Sequence, residues 1–493
     1  MRLALFGASA AATSGCRSLG TAPAPLVENI TRLNPVPVAR VVRPRDSASI
    51  CEALAGWPGQ VSVGGARCSM GGQIALRDSL HLDMRSMRSL ISLDPVTRRA
   101  RVQAGMRWRD LQDHLDPLGL AVRTMQSYAN FTVGGSVSVN AHGRYVGHGP
   151  IGHSIRALRI VLADGRMIEA DRSSNSDLFF AAIGGYGALG VIAEVELELD
   201  DNSRIERQVA YIPLAEYPGW FRERVLPDPD VVLHNVDLYP GRFDAGPAIT
   251  WRRSQQPLTI DARLRPDGAK YLGQRSAIWA VTELPGGGAM RKHIIAPAQL
   301  DHPEVVWRNY EASLDIESLE PFSRFMSTYA LEEYFVPVRH CLAFLSELRR
   351  ILRKHDVEAL NVSIRHSPAD TESVMAWARE EVFCFVIYYK QRVLTESQRR
   401  VGVWTRQLID AATAHGGSYY LPYQLHATPE QFAAAYPRHA EFRAIKDRYD
   451  PTGRFSNEMW KKYLAGPPGG VTRRAIDPAR AACTSRSASP SGR

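Results

Sequence analysis

The sequence predicts an α+β fold. Three observations carry this. Short apolar strands alternate irregularly with short helices up to about residue 200, without the regular winding of βαβ units. Glycine-rich turns repeatedly follow or precede those strands. From about residue 205 the segments lengthen, and long amphipathic helices alternate with strands rich in Val, Ile, Phe and Tyr. A chain of 493 residues is long enough for two or more domains.

The elements follow in order. Residues 21–46 are Pro-rich and read as an extended lead-in. SASICEALAGW reads as a short helix capped by Ser47 or Ser49. QVSVGG is a strand that runs into a glycine turn. LHLDMRSMRSLISLD and RRARVQAG are strand-like, and MRWRDLQDHLDPLG is a helix ending before Gly119. Residues 155–170 form a hairpin, because Asp164-Gly165 supplies the positive φ of a tight turn. NSDLFFAAIGG is a capped helix closed by Gly184 and Gly185. In ALGVIAEVELELDD, apolar Ala193, Val195, Leu197 and Leu199 alternate with Glu194, Glu196 and Glu198, the mark of a half-exposed strand.

In the second region two helices, VRHCLAFLSELRRILRKH and TESQRRVGVWTRQLIDAATAHGG, alternate with ALNVSIRH, VFCFVIYYKQR and SYYLPYQL. Thr395 with Gln398 reads as a capping box, and Thr428-Pro429-Glu430-Gln431 starts a further helix. After Leu464 the composition turns to Gly, Pro, Ser, Ala and Arg and reads as a disordered tail. The organisation expected is a leader and linker over 1–26, a first domain over 27–203, a second over 204–425, a C-terminal return over 426–465 and the tail over 466–493.

The formal charge of +9 is spread along the chain and forms no single basic block, which argues against a nucleic-acid partner. Six scattered cysteines (16, 51, 68, 341, 384 and 483) include no CxxC pair, which argues against a zinc site or a redox dithiol; no metal ligand is expected. The start MRLALFGASAAATSGC has the outline of an export signal ending in a lipoprotein-type cysteine. Periplasmic or lipid-anchored placement stands there beside a cytoplasmic one.

Chemistry is expected at three glycine loops: Gly64 to Ser69, the QSYANFTVGGSVSVNAHG stretch at 126–143, and IGGYGALGVI at 183–192. Three such turns in one α+β domain suit a long polar cofactor lying over several backbone turns. Gly185 to Gly190 matches the letters of a dinucleotide fingerprint, but a strand follows it where the fingerprint needs a helix. GxxxxGK[ST] and GxSxG are absent.

The order GGARCSMGG, FTVGGSVSVNAHG, IRALRIVLADG, DLFFAAIGGYGALGVIAEVELEL resembles the FAD-binding domain of the vanillyl-alcohol oxidase (PCMH-type) superfamily. EEYFVP at 332–337, SIRHSPAD at 363–370 and DPTGRFSNEMWKKY at 450–463 resemble its aldonolactone and alditol oxidase branch, and the oxidase of decaprenylphosphoryl ribose is also similar. The resemblance covers about residues 27–465. It implies a two-part FAD-binding domain, and a cap (substrate) domain with an antiparallel sheet over the flavin.

By the same resemblance, Gly64, Gly65, Ala66, Arg67, Cys68 and Ser69 hold the FAD pyrophosphate. Thr132, Gly134, Gly135, Ser136, Asn140, His142 and Gly143 pass beside the flavin ring. Gly185, Gly187, Gly190 and Ile192 line the adenosine or isoalloxazine end, and Asn457 sits near the flavin. The implied activity is oxidation of a CH–OH group in a polyol, sugar or sugar lactone, with hydride passing to flavin N5 and then to O2 or another acceptor. A lipid-linked, prenyl-phosphate sugar is the alternative substrate; a flavin-binding protein without catalysis is the alternative of another class. The catalytic and substrate-contacting candidates are His142, Glu333, Arg365, Lys390 and Tyr423. The lipid-sugar oxidase usually has Lys where Tyr423 stands. Cys68 departs from the His that many relatives bond to the flavin. Three outcomes are open there: non-covalent FAD, a cysteinyl-flavin bond, or a loss of the tether that weakens retention.

Overall fold

The computed structural model describes residues 23–464 apart from residue 285. The export-like start and the C-terminal tail lie outside the described residues. Three sheets organise the chain around the site. Arg40–Val42, Leu80–Asp83 and Val61–Gly64 form a parallel three-stranded sheet with Leu80–Asp83 in the middle. The segment that returns at the C-terminal end joins its edge: Val61 N donates to Arg454 O at 2.7 Å, and Ser456 N donates to Val61 O at 3.0 Å. A six-stranded sheet carries Met167–Asp171, Ile155–Val161, Val191–Asp201, Arg99–Gln103 and Leu90–Asp94 in that order, with Leu120–Val122 paired to the far end of Val191–Asp201. An eight-stranded sheet begins at Arg204; its pairings are antiparallel and it ends on Ser418–Tyr419.

Alternation explains the long Val191–Asp201 strand. Ala193, Val195 and Leu197 are buried, while Glu194 and Glu196 on the other face meet Arg101 and Arg159 of neighbouring strands. The 155–170 hairpin turns at Gly165, with φ 83°. The lead-in is extended, as its prolines require, and includes the short strands Leu26–Val27 and Val36–Pro37.

Three caps differ from expectation; at helix Ser176–Ala182 the N-cap Asn175 takes left-handed backbone, φ 49°, and its side chain makes no cap bond. Helix Ser47–Ala55 is capped by Asp46, whose carboxylate accepts from Ser49 N at 2.8 Å while Ser49 Oγ accepts from Asp46 N. A carboxylate one residue earlier wins the cap because it is the stronger acceptor. Helix Thr395–Ala414 starts after Leu394 without a side-chain cap, and Gln398 reaches back to Val393 O. The box at Thr428 and Gln431 is present. SYYLPYQL contains a strand of two residues, Ser418–Tyr419; Tyr420 to Tyr423 turn out of the sheet toward the first glycine loop, where Met70 N donates to Pro422 O.

The described region also contains helix Leu272–Glu283 and the short helical pieces up to Leu300, which cover the face of the eight-stranded sheet. None of the twelve residues of that helix is buried.

Buried neutral histidines tie this architecture to pH. His81 shares hydrogen bonds with Ser62 under the first glycine loop, and burial lowers its pKa to about 4. His234 sits between Tyr217 OH (3.1 Å) and Thr250 Oγ1 (2.9 Å), and burial lowers it to about 3. An unfolded chain takes up these protons below about pH 6.5, whereas the folded chain resists until pH 4 or lower. Their stabilising contribution is therefore complete above 6.5 and is lost as pH falls toward 4. The melting temperature should drop steeply between pH 6.5 and 4, and His234→Gln should flatten that slope. A melting temperature independent of pH over this range would contradict the assignment.

Candidate active site

The first glycine loop leaves the Val61–Gly64 strand edge with its donors free. Among the described residues no acceptor is bonded to the backbone N–H groups of Ala66, Arg67, Cys68 or Ser69. Arg67 adopts φ 61° and is held there by Asp83, 3.1 Å from its guanidinium. Asp83 is buried, which raises its pKa, yet Arg85 and Arg67 more than compensate and bring it to about 2. Four consecutive free N–H groups beside a fixed guanidinium make an anion cradle.

The second loop supplies the opposite wall. Thr132 precedes the short helix Val133–Ser138, and its Oγ1 is buried without a hydrogen-bond partner. A side chain on Gly65 would collide with that hydroxyl, and one on Gly135 would come within 2.7 Å of it. The two glycines therefore leave the Thr132 hydroxyl bare at the junction of two cavities. The smaller, about 70 Å³, is lined by Gly64, Gly65, Ser69, Thr132, Gly134, Gly135, Gly187, Gly190 and Ile192. Gly185, Gly187, Gly190 and Ile192 line a further small hollow beside it. The larger, about 640 Å³, has Gly65 to Ser69, Thr132, Gly135 and His142 on one side and the eight-stranded sheet on the other.

Several expected residues serve the frame instead. Ser136 Oγ accepts from Trp108 Nε1 and donates toward Thr132 O and Gln126 Oε1, so it is spent inside the protein. Asn140, at φ 48°, donates to Asp370 and accepts from Gly152 N. A side chain on Gly143 would strike the Met125 carbonyl, which explains glycine there by packing. Asn457 caps helix Glu458–Tyr463 and donates to Tyr186 O at 2.8 Å; Trp460 Nε1 donates to Gly185 O at 3.1 Å. Asn457 thus positions the third glycine loop from behind.

On the sheet side, strand Ser327–Pro337 turns Glu332 and Glu333 to opposite faces. Glu332 is buried behind the sheet, and burial holds its carboxyl well above the usual range. Glu333 faces the cavity: its Oε1 lies 2.6 Å from His142 Nε2, and its Oε2 accepts from Tyr423 OH at 3.2 Å. Trp377, Phe335 and Tyr420 surround the His142 ring, with centroids at 4.9, 5.7 and 5.8 Å. Arg365 lines the same cavity, and its Nε has no partner. The cavity therefore brings together His142, Glu333, Arg365 and Tyr423. Lys390 lies elsewhere. It follows Tyr388 by one more strand repeat on the same face, and its ammonium is taken by Glu283 at 2.5 Å and Glu358 at 3.4 Å.

Sequence reasoning missed Cys384, whose thiol lies with the His142 and Glu333 donor atoms inside 4.8 Å. Burial, with the Glu333 charge, holds that thiol well above its ordinary value, so a soft cation would have to displace a tightly held proton. It also missed Asn361 and Ser363. Their signal was present: in ALNVSIRH, polar Asn361, Ser363 and Arg365 alternate with Val362 and Ile364.

Comparison with known proteins agrees with this geometry. Residues 38–171 match the FAD binding domain model, and residues 306–463 match that of D-arabinono-1,4-lactone oxidase. A putative D-arabinono-1,4-lactone oxidase of Neurospora crassa is 37% identical over 122 residues, 25% of this chain and 22% of that protein. An alditol oxidase of Streptomyces sp. is 25% identical over 396 residues, 79% of this chain and 86% of that protein. The L-gulonolactone oxidase of Mus musculus is 34% identical over 411 residues, 79% of this chain and 87% of that protein. The chain belongs to the aldonolactone oxidase branch of the PCMH-type FAD-dependent oxidoreductases.

The protein is thus an FAD-dependent oxidase by family, and its residues fit the cofactor. The free N–H groups of Ala66 to Ser69 and the bare Thr132 hydroxyl are donors suited to a pyrophosphate, and the glycines leave room for it to approach.

Cys68 lies in the wall of the larger cavity, its Sγ 3.6 Å from Ala66 O. Burial, with the Glu320 charge adding to it, pushes the thiol up to about 12. A thiol that keeps its proton is a poor nucleophile. FAD should therefore be released into the supernatant on acid precipitation, and Cys68→Ala should retain FAD as the parent does. Colour that stays with the precipitated chain and is lost in Cys68→Ala would contradict this. Gly65→Ala should weaken FAD retention by displacing Thr132, measured as flavin content after gel filtration.

Proposed function

We propose that the protein oxidises a CH–OH group of a polyol, sugar or sugar lactone, with Glu333 and His142 managing the hydroxyl proton. The observation that carries this is the buried 2.6 Å contact between Glu333 and His142 in the wall of the cavity shared with the cofactor loops. FAD held at the glycine loops would supply the two-electron acceptor for the carbinol hydride.

The chain's own part is protonic. His142 Nδ1 faces Gly143 O at 3.3 Å while Nε2 faces Glu333 Oε1. Glu333 Oε1 accepts no hydrogen bond from the described residues, which leaves it open to a substrate hydroxyl. Glu333 is the group that receives the substrate's hydroxyl proton, with the adjacent imidazole of His142 placed to share it. Tyr423 stays a donor throughout: burial, reinforced by the Glu333 charge, holds its hydroxyl well above the phenol range. Arg365 offers a cation and a free Nε–H to a substrate oxygen.

A second reading has its own observation. Ala277, Ile278 and Val281 of helix Leu272–Glu283, with Ile295 and Leu319, face the polar sheet across the cavity. An apolar cover suits an alcohol that carries an apolar tail, such as a prenyl-phosphate sugar.

Anaerobic mixing with polyols and aldonolactones should bleach the flavin, and admission of air or another acceptor should restore it. Failure of every such alcohol to bleach it would overturn the main reading; turnover of a prenyl-phosphate sugar with none of free polyols would favour the second. Glu333→Gln should lower kcat by about 10²- to 10⁴-fold while the protein stays yellow.

A further inference from the structure

The cavity floor extends beyond the four groups so far given a role. The strand pairings set a row across four adjacent strands: Glu333 opposite Val386, Val386 opposite Ser363, and Ser363 opposite Asp237. All four line the larger cavity, and Asn361 lies two residues along from Ser363 on the same face. Val362 and Ile364, which alternate with them along the strand, are fully buried on the other face. The polar side chains therefore point into the cavity because of strand alternation.

Their hydrogen-bonding capacity is unspent. Asn235 donates to Asp237 Oδ1 at 3.0 Å and fixes the carboxylate, while its own Oδ1 is buried without a partner. Asn361 Oδ1 is likewise buried without a partner. Among the described residues Asp237 forms no ion pair, although it stands in a cavity that Arg144, Arg291 and Arg365 also line. An unpaired carboxylate beside amides and a hydroxyl is a set of acceptors and donors matched to several vicinal hydroxyls.

We propose that Asp237, Ser363 and Asn361 form a distal hydroxyl-binding row that sets the chain length of the substrate, with five- or six-carbon polyhydroxyl chains bound over three-carbon ones. This rests on the reading of the cavity as a site of alcohol oxidation beside Glu333. Adjacent strands lie about 4.8 Å apart, which puts Ser363 about 10 Å and Asp237 about 14 Å from Glu333 along the row. Hydrogen bonds of about 2.8 Å at each end leave about 4 Å of substrate to reach Ser363 and about 9 Å to reach Asp237. An extended carbon chain advances about 1.3 Å per bond, given a C–C bond of about 1.5 Å. Counted from oxygen to oxygen, a three-carbon alcohol oxidised at Glu333 spans four bonds, about 5 Å, so it reaches Ser363 and ends short of Asp237. A five- or six-carbon chain lays its distal hydroxyls over Ser363 and Asn361 and toward Asp237.

The test is a steady-state series on the FAD-loaded protein with glycerol, erythritol, xylitol and sorbitol. The parent should show kcat/KM rising from three carbons to five or six. Asp237→Ala and Asn361→Ala should lower kcat/KM for sorbitol by about 10- to 100-fold, mainly through KM, and leave glycerol within twofold; Asp237→Asn, which keeps an acceptor, should recover part of the loss. Calorimetric binding of a six-carbon aldonic acid should weaken in the same order. An equal loss at every chain length, or a flat profile in the parent, would overturn the row and leave the functional reading intact. A flavin that none of these alcohols or any aldonolactone bleaches would overturn the functional reading and the row with it.

Discussion

A buried carboxylate must be compensated, and in this protein the compensation for Glu333 comes from outside its own strand. Moving a carboxylate out of water costs several kcal/mol unless charge and hydrogen bonds replace the solvent. Glu333 finds them in His142, at the end of the second glycine loop, and Tyr423, from the segment that leaves the sheet after Ser418–Tyr419. That requirement docks the eight-stranded sheet on the cofactor loops in one arrangement. It also explains the aromatic cage: Trp377 Nε1 donates to Asn140 O and Tyr420 OH donates to Val139 O, so the rings that exclude water from His142 also pin the backbone that carries it.

The cofactor side answers a different constraint, the close approach of backbone to an anion. Gly65, Thr132 and Gly135 meet where any larger residue would fill the cradle. The cradle's position is set from below by the Asp83 cluster, where one buried carboxylate gathers Arg43, Arg67 and Arg85. The two faces of strand Ser327–Pro337 show how position decides chemistry: Glu332 and Glu333 are neighbours in sequence, yet burial behind the sheet pushes the carboxyl of one well above the usual range and the other sits in the cavity against His142 and Tyr423.

Local signals made much of this legible in the sequence. The strand alternation of Val191–Asp201, the Asp164-Gly165 turn and the Thr428 box depend on residues a few positions apart, and the structure contains all three. The glycine loops were legible as loops, and His142, Glu333, Arg365 and Tyr423 were legible through their flanking motifs. Lys390 was not separable from them, because the acids that take its charge, Glu283 and Glu358, come from segments 107 and 32 residues away in sequence. Asp237 was illegible for the same reason: only pairing with Ser363 brings it to the cavity. Ser136, Asn140 and Asn457 look like ligand groups in one dimension, and their partners, Trp108, Asp370 and Tyr186, are tertiary.

The segment from Asp450 to Tyr463 has a consequence in time as well as in space. Arg454 donates to the carbonyls of Ala163, Leu54 and Trp57, and Lys446 donates to those of Ala188 and Phe455. Hydrogen bonds from a charged donor contribute about 1.5–3 kcal/mol each. They close an N-terminal cofactor cradle with residues that leave the ribosome about 260 positions after the third glycine loop. A nascent chain therefore holds its glycine loops open, without their backing, through about half of its synthesis. Flavin capture is a late event for this fold, and the availability of FAD counts at chain release more than during elongation.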